Sequence, residues 1–350
     1  MATAALVITV RNERDLLRAN ILYHRHLGIS RFYVYLDGTT DGTEETVEEF
    51  SFVSISHSVS AEEFLESQSR REKTLRSPNL RQAIEQSSRH HTARQMLNTF
   101  MALEDARERG ISWLIPIDAD ELICPSLDRL APGQLGSLFD SVEDEVEQVR
   151  FRPLEIVQQS RQYLNVFAEG TLFKRPDATI ARPLYDPFRQ KLRRFELKPT
   201  RLWKIRFSKI GRFSGWYGHK EGKCAIRVNL DTMPDVHRFV GLDGRDLVTR
   251  EYGYLLHYLM YNADDFIKKY RNFEKRPDTF VHGMAIPYRK KLWRNMVNDY
   301  LFSEDFICSY YDRWIAFSEE EIDRLQEPKH PKIICVRAVQ DVFEDVLQEA

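Results

Sequence analysis

The order of apolar runs constrains this chain most. Residues 5–10 (ALVITV) are an unbroken apolar, β-branched run, as expected of a strand buried on both faces. A polar turn, Arg11-Asn12-Glu13, follows, and Asn12 is placed to cap a helix with Leu16, Leu17, Ile21 and Leu22 on one side, closed by Gly28. Residues 31–37 (RFYVYLD) read as a second strand. Asp41 and Glu44 make a capping-box-like start for a short helix, and residues 52–56 are a third strand. The spacing predicts one long helix over residues 81–109, with Leu97, Phe100, Met101 and Leu103 as its buried stripe. Gly110 ends it, before a fourth strand over 113–118. Strands alternating with helices over short links imply an α/β fold, with a mostly parallel central sheet flanked by helices. In such sheets ligands bind beyond the carboxyl ends of the strands. Asn12, Asp37 and the Asp118/Asp120 pair all fall at those ends.

The second half is less regular. Strands are expected at 148–156, 201–207 and 252–258, with a Pro- and Arg-rich stretch between the first two. Asn262 caps a further helix, and from about Ile286 the chain reads as helical, with a Ser318-x-x-Glu321 capping box. With 42% hydrophobic and 30% charged residues the composition is that of a globular protein, and the net charge of −2 does not commit the molecule to nucleic acid or anionic lipid. Cys124, Cys224, Cys308 and Cys335 form no CxxC pair, which argues against a zinc knuckle or disulfide framework and for a reducing, cytoplasmic setting. The first residues read as a strand, not a signal peptide, and no apolar run reaches membrane-spanning length, so any membrane contact is expected to be peripheral, at the inner face.

The segment WLIPIDADELICP (residues 113–125) places three carboxylates, Asp118, Asp120 and Glu121, inside an otherwise apolar run. Such anions resist dehydration unless something positive lies between them: a metal ion, an arginine cluster or open water. In Asp118-x-Asp120 the intervening residue faces away, so both carboxylates can offer oxygen to a hard divalent cation, Mn²⁺ or Mg²⁺. Glu121 would then serve the outer shell or cap the turn. The competing reading is a solvated acidic turn.

The residues VITVRNERDLLRANILYHRHLGISRFYVYLDGTTDGT, Arg94-Gln95 with Asn98, IDADE, and LLHYLMYNADDFIKKYRN together resemble GT-A glycosyltransferases of the family 2-like and family 92-like group. The likeness covers residues 4–125 well and 218–275 in patches. It implies a GT-A, Rossmann-like sheet with a helical C-terminal extension. Residues 1–147 would be the nucleotide-sugar-binding half with the DxD motif, 148–285 an acceptor-binding half with a basic insertion, and 286–350 a helical region. It implies that Val10, Asn12, Glu13 and Asp37 lie along the nucleoside, and that Arg94 reaches the diphosphate or sugar. Asp118, Asp120 and His257 would hold the metal, and Lys223 or Arg227 would offset phosphate charge. The implied activity is metal-dependent transfer of a sugar from a nucleotide donor, UDP-sugar above all, to a hydroxyl of a glycan, lipid-linked saccharide or protein, inverting, in polysaccharide biosynthesis. A metal ion where leaving charge develops stabilises the transition state more than the ground state.

Inversion also asks for a carboxylate base. Glu155, Glu169, Asp186 and Glu221 are open, and Glu155 is nominated because it ends a strand expected beside the metal motif. His90 and His91 stand on the N-terminal side of the long helix and His219 in a glycine-rich loop, while His237 competes with His257 for metal. Residues 174–223 hold fifteen Lys or Arg against four acids, a net +11, interleaved with aromatics. This fits an anionic acceptor, an anionic membrane surface or a face paired with the acidic remainder; nucleic acid is not the expected partner. Two other classes remain open: a metal-dependent phosphoesterase or nucleotidyltransferase, and a non-catalytic glycan-binding module.

Overall fold

The computed structural model describes residues 2–178, 180–182, 185–187, 213–327 and 331–349. Its first half contains β1 (Ala4–Val10), β2 (Arg31–Leu36), β3 (Val53–His57), β4 (Trp113–Ile117), β5 (Glu121–Cys124) and β6 (Gln148–Ile156). Then follow β7 (Leu172–Lys174), β8 (Ala181–Arg182), β9 (Phe213–Ser214) and β10 (Lys223–Arg227). The last strands are β11 (Thr232–Pro234), β12 (Phe239–Gly241), β13 (Thr249–His257) and β14 (Ile333–Cys335). Helices α1 (Arg14–His26), α2 (Ala61–Phe64), α3 (Gln68–Arg76), α4 (Pro78–Gln86), α5 (His91–Glu108), α6 (Gln134–Asp140) and α7 (Val166–Glu169) precede a C-terminal set that begins with the helix Ala263–Asn272.

The expected mixed α/β class is what forms. A ten-stranded sheet runs β14-β7-β6-β10-β4-β1-β2-β3, with β13 paired to both β5 and β6. From β4 to β3 the neighbours are parallel, and β10 enters antiparallel between β4 and β6. This single sheet takes strands from Ala4 to Cys335, so the expected boundary at 147/148 falls inside it, with β10 of the second segment lying beside β4 of the first.

The period of two explains why β1 is apolar on both faces. Leu6, Ile8 and Val10 join one core with Phe32, Val34, Trp113 and Ile115, covered by Leu17, Ile21 and Tyr23 of α1 and Phe139 of α6. Ala5 and Val7 join a second core with Tyr33, Tyr35 and Leu114, covered by Leu97, Phe100 and Leu103 of α5. A third core gathers Phe266, Trp293, Tyr310 and Tyr311 beneath the C-terminal helices. Each fully buried Leu, Ile or Phe contributes roughly 1.5–3 kcal/mol of transfer free energy.

Several local expectations change. The long helix is two, α4 and α5, because Ser87 ends the first and its carbonyl accepts from Arg94 Nη1 (2.7 Å). Asn12 does not cap α1; it adopts φ +57° and its Oδ1 accepts from the amide of Thr40 (2.9 Å), closing the two strand-end turns against each other. Residues 44–46 form one 3₁₀ turn that starts at Thr43, whose amide donates to Asp41. The caps at Asn262 and Ser318 form as expected. The strand expected at 201–207, with most of the basic stretch (188–212), lies outside the described residues. Among the described residues no helix is long and apolar enough to cross a membrane.

Candidate active site

The carboxylates are seated by α1. Asn20 Nδ2 donates to the carbonyls of Ala119 (3.0 Å) and Glu121 (2.7 Å), and Tyr23 Oη donates to that of Ile123 (2.9 Å). His24 Nε2 accepts from the Ile123 amide (3.0 Å), so its proton lies on Nδ1, facing the Asn20 carbonyl (2.9 Å). Burial pushes His24 down to about 3, which keeps this neutral tautomer at any ordinary pH. Asn20, Tyr23 and His24 sit three and four residues apart on the buried side of α1. Together they act as a brace beneath the acidic turn.

Around this brace the question posed by the acidic run is answered by two lysines and two histidines. Lys223, at the start of β10 and 3% exposed, reaches Asp118 (3.3 Å) and Glu121 (3.6 Å). Lys269, on the helix Ala263–Asn272, reaches Asp120 at 3.0 Å. His257 Nε2 lies 3.5 Å from Asp120, and His219 Nε2 lies 3.0 Å from Glu121. Burial opposes ionisation of both aspartates, but Lys223 beside Asp118 and Lys269 beside Asp120 hold them below the usual carboxylate range. Glu121 is fully buried and pushed up by that burial. It also caps the turn as anticipated, accepting from the Asp118 amide at 2.8 Å. For His257, burial is outweighed by Asp120, and its pKa rises.

Sheet register makes the cluster. Across β5 and β13, Glu121 stands opposite His257, and across β6 and β13, His257 stands opposite Glu155. Glu121, His219 and His257 can bring one ligand atom each within 4.8 Å of one another. The Nδ1 atoms of His219, His237 and His257 are buried without a hydrogen-bond partner among the described residues. A buried, unpaired imidazole nitrogen is costly, and a metal ion is one group that would satisfy it. An oxygen-and-imidazole donor set suits Mn²⁺ better than Mg²⁺. Glu121, His219 and His257 therefore fit a divalent ion, with Asp120 beside His257, while Asp118 is paired instead with Lys223 and Gln95.

The other expected residues divide. Asp37, at the end of β2, pairs two-pronged with Arg94 (2.5 and 2.8 Å), with His91 4.0 Å away. Gln95 donates to Asp118 at 2.9 Å, which links that pair to the acidic run. Glu13 meets Lys268 at 3.0 Å, yet burial pushes it up to about 7. The Val10 carbonyl accepts from the Asp37 amide (2.8 Å), so both strand ends are tied. These groups line one edge. Arg227 is not brought there: β10 pairs it with Trp113 at the far end of β4. Its guanidinium stacks on the Trp113 ring (4.7 Å) and donates to the carbonyls of Val142, Glu143 and Val146. Glu155 is fully buried, with Lys174 Nζ at 2.5 Å and the amides of Tyr217 (3.0 Å) and Gly218 donating to it. That seat does not present an oxygen to an acceptor.

The carboxyl edge of the sheet thus bears Asp37, with Arg94 of α5 against it and a carboxylate–histidine cluster on the strand-end turn, which makes it the candidate active site of a mixed α/β fold. The sequence profile of glycosyltransferase family 92 matches residues 8–296, and the chain belongs to that family. A glycosyltransferase-like protein of Arabidopsis thaliana is 25% identical over 168 residues, 47% of this chain and 36% of that relative's length. Among solved structures, glucosyl-3-phosphoglycerate synthase from Mycobacterium tuberculosis with Mg²⁺ and uridine diphosphate aligns at 12% identity and TM-score 0.31, covering 79% of this chain and 81% of that one. Mannosyl-3-phosphoglycerate synthase from Rubrobacter xylanophilus aligns at 15% identity and TM-score 0.33, covering 78% and 72%.

Proposed function

We propose that the chain transfers a sugar from a nucleoside-diphosphate donor, with UDP-sugars favoured, to a hydroxyl of a glycan, lipid-linked saccharide or protein. The observation that carries this is the convergence of Asp118, Asp120, Glu121, His219 and His257 at the sheet edge that also bears Asp37 and Arg94. Asp120, Glu121, His219 and His257 would hold a divalent ion, Mn²⁺ in preference to Mg²⁺. When bound it supplies positive charge where the bond from the anomeric carbon to the donor phosphate breaks and the diphosphate leaves. Lys223 and Lys269 hold the aspartates ionised by pairing with them, and Arg94 fixes Asp37 for the nucleoside.

We read the course as inverting, with a carboxylate taking the acceptor's proton. Of the four carboxylates the sequence leaves open, Glu155 is sealed. Glu169 is held by Arg161 and by the amides of Leu164 and Asn165, and Asp186 accepts from Tyr288. Glu221 is exposed and stands two residues from both His219 and Lys223, which favours it as the base. Glu221→Gln is expected to lower kcat by roughly 10²–10⁴-fold while the Mn²⁺ affinity of the resting protein stays unchanged; a parallel loss of metal binding would remove it from the base role.

The reading is tested by thermal unfolding with UDP, GDP, CDP or ATP, each with and without Mn²⁺. The expected result is stabilisation by a nucleoside diphosphate that appears only when Mn²⁺ is present and exceeds the effect of Mn²⁺ alone. Stabilisation by Mn²⁺ that no nucleotide increases would point instead to phosphoesterase chemistry, and no response at all to a binding module.

A further inference from the structure

Beneath the cluster lies a second charged pair that the transfer reaction does not use. Lys174 and Glu155 are both 0% exposed. The three ammonium donors of Lys174 are spent on Glu155 (2.5 Å), Gln158 Oε1 (2.7 Å) and the Gly215 carbonyl (2.7 Å). Its Nζ also lies 4.5 Å from the centre of the Tyr217 ring. Glu155 receives the amides of Tyr217 and Gly218. The pair therefore grips one short segment at residues 215, 217 and 218. The next residue is His219, whose Nε2 meets Glu121.

Two further contacts show how closely this segment is registered to the cluster. A Cβ at Gly218 would lie 2.9 Å from both Glu155 Oε2 and His257 Nδ1, so the bare backbone fits between them. Trp216 Nε1 donates to the His219 carbonyl (3.1 Å), and Arg289 donates to the carbonyls of Ser214 and Trp216. A buried ion pair contributes little net stability, since dehydrating both charges offsets their attraction. It does fix geometry, because either charge left alone would be costly.

We propose that Glu155, through its pairing with Lys174, is a positioning residue that fixes the Gly215–His219 segment and so sets the His219 imidazole against Glu121 for metal binding. The metal part rests on the function proposed above; the clamp on the segment does not. Outer groups that orient a metal ligand affect affinity by about 10–100-fold when removed.

The test uses Glu155→Leu/Lys174→Met, which removes both charges and keeps the core apolar, beside the single variant Glu155→Gln. Amide hydrogen exchange at Tyr217 and Gly218 reads the clamp, and Mn²⁺ titration followed by electron paramagnetic resonance, without donor, reads the ligand. The double variant is expected to stay folded, to exchange faster at those amides and to bind Mn²⁺ about 10–100-fold more weakly with an altered spectrum. Unchanged exchange and Mn²⁺ binding in the folded variant would overturn the proposal. Should the unmodified chain bind no Mn²⁺, the metal reading fails, while the exchange rates still decide whether the pair holds the segment.

Discussion

Asp120→Asn is expected to reduce turnover by roughly 10²–10³-fold or more, the scale of deleting one preorganised electrostatic group, with the fold retained. The carboxylate is 8% exposed and faces Lys269 at 3.0 Å and His257 at 3.5 Å. Asparagine keeps an oxygen for Lys269 but removes the negative charge that Lys269 and His257 share and that the proposed metal would use. The stability cost should be about 1–3 kcal/mol, that of weakening one charged hydrogen bond. Steady-state kinetics, circular dichroism and Mn²⁺ affinity on one preparation separate the two effects. Loss of fold in this variant would make Asp120 a structural counter-ion, and the transfer mechanism would lose its main support.

Lys223→Met should show the converse pattern, a large loss of stability that added metal partly restores. Lys223 is 3% exposed and is the cation shared by Asp118 and Glu121. Removing one partner of a buried ion pair costs on the order of 3–5 kcal/mol, because charge is left uncompensated. Asp118 is about a third exposed, so most of this falls on Glu121. Burial already pushes Glu121 up, and without Lys223 its folded pKa rises further. Its ionised form then opposes folding, so the deficit should be smallest in mild acid and grow as pH rises above the ordinary glutamate range. Mn²⁺ at a hundredfold excess over its dissociation constant would return about 2.7 kcal/mol. Denaturant unfolding of the variant in chelator and in Mn²⁺, at two pH values, checks both signs. A variant as stable as the parent, or one that Mn²⁺ leaves unchanged, would mean that lysine and metal do not address the same carboxylates.

What could be read beforehand was local. The runs at residues 5–10 and 113–117 announce β1 and β4 because strands buried on two faces have no polar alternation to obscure them, whereas β6 shows by the alternation of Val149 and Phe151 with Arg150 and Arg152. Asp37, Asp118 and Asp120 stand out because charge at the end of such a run is rare. What escaped is set by pairing between distant strands. Glu121 gains its place as a candidate ligand only from its register opposite His257, and Arg227 is kept from the candidate site because β10 runs antiparallel to β4. The break between α4 and α5 carries no glycine or proline signal; an arginine that reaches back to Ser87 makes it. The brace of Asn20, Tyr23 and His24 was visible in principle, as polar side chains on the apolar side of α1.

The counter-charges of the acidic turn come from far along the chain: Lys223 lies 105 residues beyond Asp118, and Lys269 lies 149 beyond Asp120. During synthesis at about 5–20 residues per second, the aspartates would wait roughly 7–30 s before the second lysine emerges. For the first part of that interval the edge of β4 also stands open, until β10 emerges with Lys223 to fill it. The nascent first half must therefore keep its acidic turn wet, and final closure of the sheet and neutralisation of its catalytic edge become one late event.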